Sequence, residues 1–376
     1  MKFGFDAKRA FHNKSGLGNY SRDSIRLLSE YYPDNEYLLY NPKKGNVNFN
    51  INPENTKIVY PKGWLNKKLS SYWRQKTIVE QIVKDKVDVF IGLSNEIPHG
   101  LEKTIVKSIV VIHDLIFIRF PELYSTIDQK IHVKKVKRAC KNADKIIAIS
   151  EQTKEDIINF LNIDPNKIEV VYQGCHSVFQ KKYNIELQKI IKKKFNLPDR
   201  FILNVGTIEK RKGLLTAVQA ISDFKNINLV VVGKETKYTE EIKEFISSNK
   251  MENRVLFLKN VSMPELASIY QLADLFVYPS IFEGFGIPII EALFSKTPVI
   301  SSTGSCFSEA GGDYSWYVEP GNSSELKLAI VELWNSPETR NEMAKRGFDF
   351  VQKFNDKNVA KNLSDAINIK VKRAVN

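Results

Sequence analysis

Cysteine, long apolar runs and closely spaced metal ligands are what this 376-residue sequence has least of. Its three cysteines, Cys140, Cys175 and Cys306, are widely separated and odd in number. That pattern excludes a disulfide scaffold, argues against a cysteine-based zinc site and favours a reducing compartment. No apolar run approaches the roughly 18 residues that a membrane-spanning helix needs. The opening residues, Met1 to Asp6, lack the apolar stretch of a secretory signal. The expectation is a cytoplasmic protein. No two aspartates are separated by a single residue, and no His-x-x-x-His or Cys-x-x-Cys pair occurs, so neither a metal nor another cofactor is expected.

What is present is a globular composition, 43% apolar and 26% charged, long enough for two domains. Lys and Arg exceed Asp and Glu by 13 charges. Such an excess suits a nucleic acid, an anionic membrane face or a phosphorylated substrate. No recognised nucleic-acid module accompanies it, so nucleic acid is not expected.

Short apolar runs alternate with helix-like segments throughout. Strands are predicted at 2–6, 36–40, 57–60, 87–91, 108–112, 145–149 and 168–172, then at 201–205, 228–232, 254–258, 274–278 and 297–300. Runs such as Ser108-Ile109-Val110-Val111-Ile112 are nearly all aliphatic, as expected of parallel strands covered on both faces. The reading is an α/β protein of two doubly wound, Rossmann-like domains. The charged stretch 177–198 separates them, giving domains at 1–180 and 181–355 and a last helix at 356–376.

Four junctions carry chemistry. Tyr278 ends a strand, Glu283-Gly284-Phe285-Gly286 forms a loop, and Pro288 suits the first position of a helix. Backbone N–H groups from Phe285 to Ile290 then stand at the positive end of a helix dipole, where a phosphate binds. Glu283 and Glu291 flank them, placed to accept hydrogen bonds from sugar hydroxyls. A second strand delivers Gly206-Thr207-Ile208-Glu209-Lys210-Arg211-Lys212-Gly213 to the same crevice; Arg211 and Lys212 suit a diphosphate as a planar fork and a point charge. In the first domain Gly16-Leu17-Gly18 is predicted as a loop between strand and helix. It is a partial dinucleotide fingerprint, with Ser21 in place of the third glycine. His113 follows a buried strand and is the histidine expected to face a cleft.

Together these residues resemble glycosyltransferase family 4, with its GT-B fold of two Rossmann-like domains facing across a cleft. Glu283-Gly-Phe-Gly-Ile-Pro-Ile-Ile-Glu291 is similar to the family's Glu-x7-Glu motif. Further matches include Gly16-Leu17-Gly18, His113-Asp114, Ile149-Ser150-Glu151, Arg211-Lys212-Gly213 and Glu309-Ala310-Gly311-Gly312. The resemblance implies a retaining transfer of a sugar from a nucleotide-diphosphate donor without metal. By position, Glu291 would hold the ribose, and Glu283 with the amides of Phe285, Gly286 and Ile287 the transferred sugar. Lys212 and Arg211 would stabilise the leaving diphosphate, and His113 would contact the sugar near the reacting carbon. Gly16, Gly18, Thr207 and Ile290 complete the expected donor contacts. Thr207 stands where many members have Arg. The Gly-Thr-Ile-Glu-x-Arg-Lys form resembles a bacterial mannosyltransferase subgroup, so GDP-mannose is the first donor expected and a UDP-sugar the second.

Two stretches hold much of the excess charge. Residues 130–145 carry seven basic residues against one acidic, and 62–76 mixes five with Trp64, Leu65, Tyr72 and Trp73. Cations with aromatics suit an anionic membrane face. The expectation is a peripheral enzyme on the inner face of the cytoplasmic membrane, using a glycan or lipid-linked acceptor in bacterial surface polysaccharide or lipopolysaccharide synthesis. Two alternatives stand beside it: an NAD- or nucleotide-sugar-dependent oxidoreductase, and a non-catalytic nucleotide-sugar-binding protein.

Overall fold

The computed structural model describes residues 1–47 and 49–368. The chain forms two compact units, one of Met1–Gln173 joined by the helix Asp356–Ile367, the other of Gly174–Asn355. The last eight residues of the expected 356–376 helix lie outside the described residues.

The first unit holds a seven-stranded sheet in the order β3-β2-β1-β4-β5-β6-β7. Its strands are β1 (Lys2–Asp6), β2 (Glu36–Tyr40), β3 (Thr56–Val59), β4 (Val89–Gly92), β5 (Lys107–Ile112), β6 (Lys145–Ala148) and β7 (Ile168–Val170). All neighbours pair parallel. The order reverses between β1 and β4, where a doubly wound sheet opens its ligand crevice. Helix Asp356–Ile367 packs on helix Gly16–Tyr31: Val359 and Ala360 cluster with Leu27, and Arg26 pairs with Asp356 at 2.9 Å.

The second unit holds a six-stranded parallel sheet in the order β10-β9-β8-β11-β12-β13. It is built from β8 (Ile202–Val205), β9 (Leu229–Val232), β10 (Val255–Leu258), β11 (Leu275–Tyr278), β12 (Val299–Ser302) and β13 (Trp316–Val318). Its reversal lies between β8 and β11, the strands that end in the two charged loops. The aliphatic runs are buried on both faces: Leu203, Val230, Val231, Phe276 and Val277 are all fully enclosed. Helix-covered parallel strands require this burial.

Four local expectations are corrected. Gly16-Leu17-Gly18 is not a loop after β1; a helix, Lys8–His12, intervenes and Gly16 begins the next one. Gly18 is there for space, since a Cβ would sit 1.9 Å from the Asn13 carbonyl oxygen. Pro288 occupies the second position of helix Ile287–Phe294 rather than the first. β12 begins at Val299, not at 297, because Lys296 turns with φ 59° and the Thr297 N–H bonds Ala292 O. Within 62–76, Trp73 and Arg74 are interior, the first packed near Tyr40 and the second paired with Asp6.

Candidate active site

The loop after β8 and the loop after β11 are tied together before any ligand is considered. The Ile281 N–H and the Ser280 hydroxyl both donate to Arg211 O, at 2.8 and 3.1 Å, and the Arg211 guanidinium donates to Phe282 O. Gly213 has φ 69°, and a Cβ on it would lie 2.0 Å from Pro279 O. Only glycine lets the two backbones approach so closely.

The contact brings four donors onto one oxygen. Glu283 Oε1 accepts from Lys212 Nζ at 2.5 Å, Ser280 Oγ at 2.6 Å and Tyr278 Oη at 3.0 Å, and it pairs with Arg211 Nη1 at 3.0 Å. Tyr278 Oη also lies 2.8 Å from Lys212 Nζ, whose ammonium stands 5.3 Å from the Tyr278 ring centre. None of these bonds uses Oε2. Burial alone would raise the Glu283 pKa, but Lys212 and then Arg211 outweigh it and bring the group down to about 2. Glu283 is therefore an anion at neutral pH with one oxygen anchored and one uncommitted. Ser305 Oγ and Cys306 Sγ donate to its backbone carbonyl at 3.1 and 3.2 Å and fix the loop from the β12 side.

Helix Ile287–Phe294 points its N-terminus into the same place. Among the described residues nothing accepts the N–H groups of Gly286 and Ile287, whereas the Ile289 N–H is taken by Gly286 O at 2.9 Å. Phe285 and Ile290 bury their side chains, the former edge-on to Phe354. Their side chains belong to the core, so any ligand contact they make is through the backbone.

Glu291, also buried, receives a hydrogen bond on Oε2 from Tyr270 Oη at 3.1 Å. With no cation beside it, burial pushes its pKa up to about 8, and the Tyr270 bond offsets only part of this. The two glutamates of one motif thus hold opposite charge states at pH 7: Glu283 ionised, Glu291 neutral. Thr207 is exposed on the loop after β8.

His113 lies in the first unit, just past β5. It is buried, and its Nε2 stands 2.9 Å from Leu93 O, so the proton is on Nε2 and Nδ1 is an acceptor. Burial lowers its pKa to about 4; repulsion from Arg9 adds to this and the Leu93 bond opposes it. Asn95 Oδ1 accepts the His113 backbone N–H at 3.0 Å, and the Tyr20 ring meets the imidazole edge-on at 4.7 Å.

The structure thus brings Lys212, Arg211, Glu283, Gly286, Ile287 and Glu291 together, with Gly16, Gly18 and His113 in the other unit. Tyr278, Ser280, Tyr270, Ser305 and Cys306 had no assigned role in the sequence reading. Tyr278 and Ser280 were within reach of it, being part of the Tyr-Pro-Ser that precedes the loop.

Two family models match consecutive parts of the chain: "Glycosyltransferase Family 4" over residues 32–179 and "Glycosyl transferases group 1" over 187–350. Among curated proteins, the O-antigen chain mannosyltransferase RfbU of Salmonella typhimurium is 28% identical over 64% of this chain and 65% of its own length. The O-antigen chain mannosyltransferase B of Escherichia coli is 24% identical over 72% and 71%. The chain therefore spans about two-thirds of the length of these relatives. Among solved structures, Anabaena HepE in complex with UDP-glucose superposes with a TM-score of 0.73 at 16% identity, covering 97% of this chain and 98% of that one.

Proposed function

The chain belongs to the family 4 glycosyltransferases, with their GT-B fold, and we propose that it transfers mannose from GDP-mannose, with a UDP-sugar as the second donor, in bacterial surface polysaccharide synthesis. The names of its relatives, O-antigen mannosyltransferases, support the sugar and the pathway class. UDP-glucose in a structural neighbour supports a nucleotide-sugar donor in general.

The observation that carries this reading is the convergence of Lys212, Arg211, Ser280 and Tyr278 on a single oxygen of Glu283 beside an open helix N-terminus. That arrangement pre-orients a carboxylate and two cations around a site for a sugar diphosphate. In the reaction the bond from the anomeric carbon to the phosphate oxygen breaks and a bond to the acceptor oxygen forms. The acceptor proton passes to the leaving diphosphate, whose charge Lys212, Arg211 and the Gly286 and Ile287 amides stabilise. Glu283 Oε2 accepts a hydroxyl of the transferred sugar. Glu291, neutral in the free protein, both donates to and accepts from the ribose diol. Attack on the face from which the phosphate leaves retains the anomeric configuration. His113 offers the bare Nδ1 to a hydroxyl of the sugar.

Metal independence is part of the proposal. Its support is that fixed cations already stand where a metal would neutralise phosphate. Peripheral membrane contact is also proposed. Among the described residues no helix is long and apolar enough to cross a membrane. Trp64, Leu65, Leu69 and Tyr72 are exposed together among Lys67, Lys68 and Lys76. Sugar transfer from GDP-mannose to a lipid-linked acceptor on anionic vesicles, in EDTA, tests the whole reading; release of no GDP with any acceptor would contradict it.

A further inference from the structure

At the carboxyl end of β1 and β4, where the first unit's strand order reverses, lies a small recess lined by Asp6, Arg74, Glu96, His99, Lys135 and Arg138. Its charges have been drawn from distant segments. Arg74 sits in a π-helical turn, Trp73–Thr77, and is buried; its Nε lies 3.0 and 2.8 Å from the two Asp6 oxygens and its Nη1 3.2 Å from Glu96 Oε2. Lys135 Nζ takes the other Glu96 oxygen at 3.2 Å. Both carboxylates are thus already engaged.

One of the three cations is not fully engaged. Arg138 donates through Nη2 to Ile97 O, but its Nη1 is buried without a hydrogen-bond partner. A buried guanidinium nitrogen with nothing to donate to is costly. Three cations face two carboxylates in the recess, and Lys8 bonds the same Asp6 through its backbone N–H at 3.3 Å. Burial, followed by the positive charge of Arg74 and Arg9, holds the Lys8 ammonium below its usual range, and burial followed by Arg138 does the same to His99. What Arg138 Nη1 lacks is an acceptor. A phosphate or carboxylate supplies one, and a planar guanidinium binds either.

The site adjoins the residues already described. Leu93 and Asn95 hold His113, and the next residues along, Glu96 and Ile97, line the recess. We propose that this recess binds an oxyanion carried by the glycosyl acceptor, so that the enzyme acts on an acidic or phosphorylated glycan rather than a neutral one. The assignment to the acceptor rests on the proposed function; the oxyanion site itself does not.

Calorimetric titration of the full chain with mannose 1-phosphate, glucuronate and neutral methyl mannoside tests it, the first two separating phosphate from carboxylate. At least one charged sugar is expected to bind, the neutral glycoside not. Binding is expected to survive Lys212→Ala, which removes one cation from the second unit's proposed diphosphate site. It is expected to weaken at least tenfold in Arg138→Gln and in Lys135→Gln. Lys135 is half-exposed, so its variant folds even if the other does not. Equal binding of the neutral glycoside, or charged-sugar binding lost in Lys212→Ala and intact in Lys135→Gln, would overturn the proposal. Charged-sugar binding with no nucleotide binding by the wild type would instead remove the proposed function and leave the oxyanion site standing.

Discussion

Lys212 Nζ lies 2.5 Å from Glu283 Oε1, and each group offsets the cost of burying the other. In the free protein the residue proposed to stabilise the leaving diphosphate is thus held by the residue proposed to hold the sugar. A donor that places its diphosphate near Lys212 shares this ammonium with Glu283 rather than meeting a solvated one. On the proposed function, the site is pre-organised where charge would develop.

Lys212→Ala is expected to lower turnover by about 10²- to 10³-fold, the usual effect of removing one such donor. Donor affinity should change much less, because Arg211 and the helix amides remain. Steady-state kinetics together with nucleotide titration separate the two effects. Turnover within a factor of two of wild type would remove Lys212 from the mechanism.

Tyr278→Phe deletes only the hydroxyl that joins Lys212 and Glu283. The ring and its packing on Phe276 stay. The variant should fold with a loss of about 2–3 kcal/mol, since the hydroxyl makes two hydrogen bonds to charged groups. It should lower turnover by roughly tenfold with little effect on the donor KM. A change in KM alone would make Tyr278 a binding residue and not a positioning one.

Glu291 yields a pH dependence of stability. Its pKa is raised from 4.5 to about 8 in the fold, so between those values the native state holds a proton that the unfolded chain has lost. Stability from this group is full below pH 4.5 and falls as pH rises toward 8, by at most about 1.4 kcal/mol per unit. Glu291→Gln should flatten that limb in denaturant titrations at pH 5 and pH 8. An equally steep fall in the variant would show that another group is responsible.

His113 has the opposite dependence. Its pKa drops from 6.5 to about 4 on folding, so the unfolded chain binds the extra proton between those values and stability is lost as pH falls from 6.5 toward 4. His113→Gln should reduce this acid sensitivity, and it should slow transfer through loss of the Nδ1 acceptor. Unchanged transfer would leave His113 as a structural residue that braces Leu93.

Much of the fold was legible because parallel, helix-covered strands must be aliphatic on both faces. The run Asn228 to Val232, for example, can do little else. β13 was missed because Trp316–Val318 is three residues long, half-exposed at its start and without an apolar run. The first helical turn at Gly16 was misread because glycines read as loop residues, and the close approach of Gly18 to Asn13 is invisible without coordinates. In the site, Glu283, Glu291 and Lys212 stood out through spacing and flanking glycines. Tyr270, Ser305 and Cys306 did not, since Tyr270 reaches Glu291 from helix Met263–Leu272 and the other two reach Glu283 from the turn after β12. Nor could the sequence separate the two glutamates by charge: that difference depends on Lys212 and Arg211 standing beside one and not the other.

The most direct test of the central claim is calorimetric titration of the full chain with GDP, UDP and ADP in EDTA, in parallel on wild type and Lys212→Ala. The account predicts metal-free binding with a clear preference for one base, GDP first, and a diphosphate contribution that shrinks in the variant. No binding of any of the three at millimolar concentration would contradict a fixed-cation diphosphate site built from Lys212, Arg211 and the helix at Ile287.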